Sequence, residues 1–133
     1  MFASKLKKVL IVSISILLII VLSLPTILHT AGFHPDYQTE RFSFTDKKAL
    51  IIATNHGVLN APGESIGKPT GLFLSELSVP YFRFIESGIS VDIASIRGGI
   101  IPVEPTPYFL RTDEDNTFLK NSELMSKLNN SSS

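Results

Sequence analysis

Glu76 stands in the stretch TGLFLSELSVPYFRFIESG, residues 70–88, among Leu72, Phe73, Leu77, Pro80, Tyr81 and Phe84. On a helix advancing about 100° per residue, positions 72, 73, 76, 77, 80 and 84 share one face, so a carboxylate interrupts an apolar stripe. If that stripe is buried, an unpaired ionised carboxylate there is costly, its pKa rises, and the group becomes fit to share a proton with a reacting atom. If Glu76 instead sits partly solvated in the first turn, its charge complements the helix dipole and its role is structural. His56 closes an apolar run and precedes Gly57. That is where ligands bind at the carboxyl ends of strands in open α/β sheets, although a histidine between Asn55 and Gly57 equally suits a turn.

Other chemistry-bearing residues fall short of a motif. Gly63-Glu64-Ser65-Ile66-Gly67-Lys68-Pro69 misses the phosphate-loop spacing by one residue and puts proline where the magnesium-holding hydroxyl belongs. No G-x-G-x-x-G follows the first apolar run, so a dinucleotide site lacks its fingerprint. Ser65 and Ser95, paired with His56, would make a hydrolase, yet neither serine lies on a G-x-S-x-G elbow. His29 and His34 have no carboxylate at ligand spacing, so no metal site and no cofactor are expected. The single Arg97-Gly98-Gly99 lacks the basic surround of an RNA-binding repeat, and its two glycines read as a sharp turn. With 12 basic and 12 acidic residues the net charge is zero, which argues against nucleic acid as a partner. The chain contains no cysteine, which removes disulfides, thiolate metal sites and thiol nucleophiles together.

These residues need elements to position them. Lys48 to Thr54 is a short apolar run that predicts a strand buried on both faces, as in a parallel sheet. Residues 55–71 hold too many glycines and prolines for a helix or a paired strand, and predict a long functional loop. A helix is predicted from Ser75 to Ser87, with Gly88 as its stop and Pro80 early enough to be tolerated. Ile89 to Ser95 alternates and predicts a second strand, completing a βαβ unit. Ile100 to Pro105 reads as extended, Thr112 to Asp115 as capping residues for a weaker helix reaching Leu128, and the NNSSS tail as frayed.

Before this domain, Val9 to Leu28 is a run of about twenty uncharged residues following Lys5, Lys7 and Lys8, enough to cross a bilayer. The lysines predict a single-pass anchor with the following part extracytoplasmic, and a cleaved signal peptide, giving a secreted or periplasmic protein, fits the same pattern. The predicted organisation is therefore an anchor or signal over residues 1–28, a polar connector over 29–46, and a domain over 47–133.

Taken in order, Ala49-Leu50-Ile51-Ile52-Ala53-Thr54-Asn55-His56, Thr70-Gly71, Ser75-Glu76-Leu77, Pro80-Tyr81, Phe84, Gly88, Val91-Asp92-Ile93-Ala94-Ser95, Gly98-Gly99 and Pro102-Val103-Glu104-Pro105 resemble the amino-terminal portion of the ThiJ/PfpI superfamily. The nearest likeness is to its glyoxalase-III-like and heat-shock-chaperone-like branch, often labelled type 1 glutamine amidotransferase-like, and it runs from residue 47 to about 128. The resemblance implies a flavodoxin-like, doubly wound α/β sandwich carrying a cysteine on a strand-to-helix elbow, a histidine directly after it, and an acidic residue from the first helix. Glu76 matches that acidic residue, the partner of the nucleophilic thiol, and His56 and Gly71 are the expected binding positions. Intact relatives would act on small reactive aldehydes such as methylglyoxal, as glyoxalase III or deglycase, or handle misfolded protein, with homo-oligomers possible. The family's elbow lies downstream of the matched region, so the expectation is a truncated, membrane-anchored and by itself inactive member. The alternative is a non-enzymatic, membrane-tethered binding or chaperone-like module whose unpaired strand edges are its working surface.

Overall fold

The computed structural model describes residues 2–33 and 40–133, with side chains from Lys5 onward. Part of the expected connector, His34 included, lies outside the described residues. Two compact units separate by their contacts: residues 1–37 with 108–110, and residues 38–107 with 111–133.

The first unit holds helix α1, Phe2–Thr30, and a single 3-10 turn at Tyr108–Leu110. Apolar residues point outward on all sides of α1, with Leu10, Ile14, Leu18 and Leu22 each more than half exposed. Its stretch Lys5–Thr30 is long and apolar enough to span a membrane or act as a signal. Pro25 lies inside α1 and has no N–H to donate to the Val21 carbonyl. The Tyr108 hydroxyl donates to that oxygen instead, at 2.5 Å.

The second unit is mixed α/β. Strand β1, Lys48–Ala53, pairs in parallel with β4, Ser90–Ser95, in a register running from Lys48 opposite Ser90 to Ala53 opposite Ser95. Helix α2, Ser75–Glu86, forms the crossover between them. It stops where expected, because Gly88 takes φ +79° and a Cβ there would stand 2.7 Å from the Phe44 carbonyl oxygen. Leu74, Leu77 and Tyr81 bury one face of α2 with Val91 and Ile93 of β4 and with Phe118, where Tyr81, Phe82 and Phe118 meet edge to face.

Four expectations need correction. Strand β1 is covered on one face only: Leu50 and Ile52 are 58% and 67% exposed, because no described element packs on that side. The loop after β1 contains a paired segment, β2 Val58–Leu59 against β3 Lys68–Pro69, antiparallel. Pro62-Gly63, with Gly63 at φ +84°, closes a turn in which the Glu64 N–H donates to the Ala61 carbonyl at 3.0 Å. The predicted carboxyl-terminal helix is two, α3 Asp113–Lys120 and α4 Ser122–Asn129. Asn121 interrupts them in extended conformation, and its side chain accepts from the Glu123 and Leu124 N–H groups as the cap of α4. The serine tail is not frayed: Ser131 exchanges two backbone hydrogen bonds with Gly99, and the Ser95 N–H donates to the Ser132 carbonyl at 2.8 Å.

Candidate functional site

The candidate residues lie around the carboxyl ends of the parallel strands and the start of α2. Helix α2 begins at Leu74 without a side-chain cap, its first N–H groups turning back instead onto Phe73 and Leu74. Glu76 therefore falls in the first turn, and it is exposed. The buried residues of α2 are Leu77, Ser78 and Tyr81, and Leu72 and Phe84 are partly buried against the same core, so the apolar neighbours of Glu76 pack while Glu76 itself is exposed at their border. No hydrogen bond or ion pair to the Glu76 side chain occurs among the described residues. Its negative charge at the amino end of α2 suits the helix dipole.

Gly71 has a clear physical demand. The backbone at Leu72 pairs with the extended segment after β4: the Leu72 N–H donates to the Pro102 carbonyl at 2.8 Å, and the Glu104 N–H donates to the Leu72 carbonyl at 2.9 Å. A Cβ at Gly71 would lie 2.2 Å from the Pro102 oxygen, so no side chain fits. Gly71 thus brings residues 70–72, and with them the start of α2, close against residues 102–104.

His56 is exposed just past β1, and its N–H donates to the Thr54 hydroxyl at 2.9 Å. It shares no hydrogen bond with Glu76, so the structure places both near strand ends without joining them. Among the described residues no three His, Asp or Glu side chains cluster closely enough to hold a metal ion.

Two polar clusters escaped the sequence reading. Asn55 ties the ends of β1 and β4 together: its amide nitrogen donates to the Ser95 hydroxyl at 2.9 Å and to the Gly98 and Ile100 carbonyls, while its oxygen accepts from the Arg97 N–H at 2.8 Å. Ser95, 2% exposed, also meets the Ser131 hydroxyl at 2.7 Å. The Arg97-Gly98-Gly99 turn, with both glycines at positive φ, is what folds these acceptors around Asn55. An asparagine two residues past the end of β1 was the available signal, since its side chain can replace a backbone partner.

The second cluster is Asp115, 1% exposed, whose carboxylate accepts from Ser75 at 2.7 Å, from Ser78 at 2.5 Å and from the Thr112 N–H at 3.1 Å. The Thr112 hydroxyl accepts from the Asp115 N–H in return, completing a capping box. Beside it, Leu74, Val103, Glu104, Arg111, Asp115 and Leu119 line a cavity of about 210 Å³. Glu76, His56 and Gly71 do not line it.

Comparison with known proteins finds solved structures only. The Francisella tularensis Rapid Encystment Protein 24 KDa (REP24), an X-ray structure, is 35% identical with a TM-score of 0.54, over 65% of this chain and 37% of that one. A second crystal structure, of a protein designated APC35852, is 31% identical with a TM-score of 0.46, over 63% of this chain and 33% of its own. The chain spans about a third of the length of the solved proteins it resembles. No family model and no curated protein matches.

Proposed function

We propose that residues 47–133 contribute one side of a ThiJ/PfpI-type, doubly wound active-site domain, with Glu76 as the acidic partner of a thiol that lies outside these 133 residues. The observation carrying this reading is the contrast between two carboxylates beside the first turn of α2, Asp115 of α3 and Glu76 of α2 itself. Asp115 is consumed by three donors, whereas Glu76 is exposed with no partner among the described residues, at the helix end that tops a parallel βαβ unit. A carboxyl group so placed is free to share a proton with a thiol and hold it ready for attack. His56, past the end of β1, would contact the substrate, a small reactive aldehyde such as methylglyoxal. Gly71 keeps the segment leading to Glu76 close to residues 102–104. Helix α1 would hold this domain at a membrane, with Lys5, Lys7 and Lys8 on the cytoplasmic side.

The test is a chimera in which residues 47–133 replace the matching third of REP24, assayed for lactate formed from methylglyoxal. Expected is turnover that falls by about 100-fold or more in Glu76→Gln, the scale of a lost general acid or base. A folded chimera without turnover, or one indifferent to Glu76→Gln, overturns the reading. So does robust turnover by the unmodified chain, which has no cysteine.

The exposed Leu50 and Ile52 favour a second reading, a membrane-tethered binding or chaperone-like module. Suppression of client aggregation at near-stoichiometric ratio supports it, and its absence removes it.

A further inference from the structure

The cavity of about 210 Å³ beside the first turn of α3 is lined by two opposite charges that do not meet. Arg111 is half-buried and donates through Nε alone, to the Thr106 carbonyl at 3.2 Å. Its two terminal nitrogens have no hydrogen bond or ion pair among the described residues. Glu104 is fixed by its backbone: its N–H donates to the Leu72 carbonyl at 2.9 Å, and its carbonyl accepts from the Thr106 hydroxyl at 3.1 Å. Glu104 is exposed, and its carboxylate has no partner among the described residues, Arg111 included. The third charge on the wall, Asp115, is already taken up by Ser75, Ser78 and the Thr112 N–H. Leu74, Val103 and Leu119 give the cavity an apolar side.

We propose that this cavity binds a free α-amino acid with a small apolar side chain. A guanidinium whose terminal nitrogens are both open offers a fork that a carboxylate fills with two parallel hydrogen bonds. A guest that is only a carboxylate would meet repulsion from Glu104 in the same cavity, whereas an ammonium on the guest turns that repulsion into attraction. Asp115 cannot take the ammonium, because its own donors occupy it, so the role falls to Glu104. The guest therefore carries both charges, and its aliphatic part lies against Leu74, Val103 and Leu119. Size limits it further: 210 Å³ is below the roughly 300–1,000 Å³ of pockets that hold drug-sized ligands, which suits a single amino acid. Glu76, His56 and Gly71 line none of this cavity, so the binding is separate from the thiol chemistry proposed above.

The test titrates the full chain in detergent micelles with L-leucine by calorimetry, beside 4-methylpentanoate, which lacks the ammonium, and 3-methylbutylamine, which lacks the carboxylate. Expected is saturable one-to-one binding of leucine with a Kd of about 1 mM or tighter. Each truncated analogue should bind at least about tenfold more weakly, as should leucine to Arg111→Met or to Glu104→Gln, since each change removes a charge-assisted contact. Glu123→Gln, an exposed carboxylate of α4 that does not line the cavity, should leave binding unchanged. In the unsubstituted chain leucine should also slow amide exchange at Glu104 and Asp115, which reads the site without any variant. Absence of saturable binding overturns the proposal. So does equal binding of 4-methylpentanoate, indifference to both cavity substitutions, or unaltered exchange at Glu104 and Asp115.

Discussion

The first turn of α2 has two sides that treat a carboxylate in opposite ways. On the side facing α3, Asp115 is sealed at 1% exposure and bonded to Ser75, Ser78 and Thr112. On the open side, Glu76 stands one residue from Ser75 and is exposed, with no partner among the described residues. Burial of a carboxylate is tolerated only when donors replace its water, so Asp115 belongs to the architecture and cannot react without dismantling it. Of the two, Glu76 is the carboxylate left to solvent, with no donor to dismantle.

Substitutions can break or sharpen that contrast, starting with the sealed side. Phe118→Ala removes a fully buried ring that packs on Tyr81 and Phe82, and should lower unfolding stability by about 3–5 kcal/mol in a denaturant titration. Asp115→Ala strands the donors of Ser75, Ser78 and Thr112 and should cost about 3 kcal/mol, read as a lowered Tm, and a near-neutral result would erase the contrast. Gly71→Ala forces the backbone away from Pro102 and should cost about 2 kcal/mol, with amide exchange at Leu72 and Glu104 accelerating first. Thr112→Ala deletes half of the capping box and should cost about 1 kcal/mol, seen as lost helical circular dichroism on mild heating. Glu76→Gln should change stability by less than about 0.5 kcal/mol, and a larger loss would place Glu76 with the structural acids.

The sequence made β1, α2 and β4 legible through a bounded apolar run, a glycine stop and an alternating segment, each a local pattern tied to a backbone period. Its errors arose where distant residues decide the outcome. Leu50 and Ile52 read as buried because a continuous apolar run says nothing about whether both faces have neighbours. Val58-Leu59 and Lys68-Pro69 are too short to show strand periodicity among glycines and prolines, yet the Pro62-Gly63 turn brings them into register. Asp115 was visible as a capping oxygen, but its bonds to Ser75 and Ser78 span forty and thirty-seven residues. Glu76 drew notice by interrupting an apolar stripe; Leu77 and Tyr81 beside it are buried, while Glu76 is exposed, because helical periodicity does not show where the border of the packed face falls. The polar tail read as frayed because its partners, Ser95 and Gly99, stand 36 and 32 residues before Ser131, beyond any local pattern.

Asn55 has a consequence for anything that approaches the strand ends. One amide group there holds the Arg97-Gly98-Gly99 turn to the tip of β1 through contacts with Ser95, Arg97, Gly98 and Ile100. The gap between the two tips is therefore set in advance by a rigid planar strut rather than by a hinge. Widening that gap means first breaking the strut's hydrogen bonds, which leaves the Asn55 amide and its acceptors unpaired.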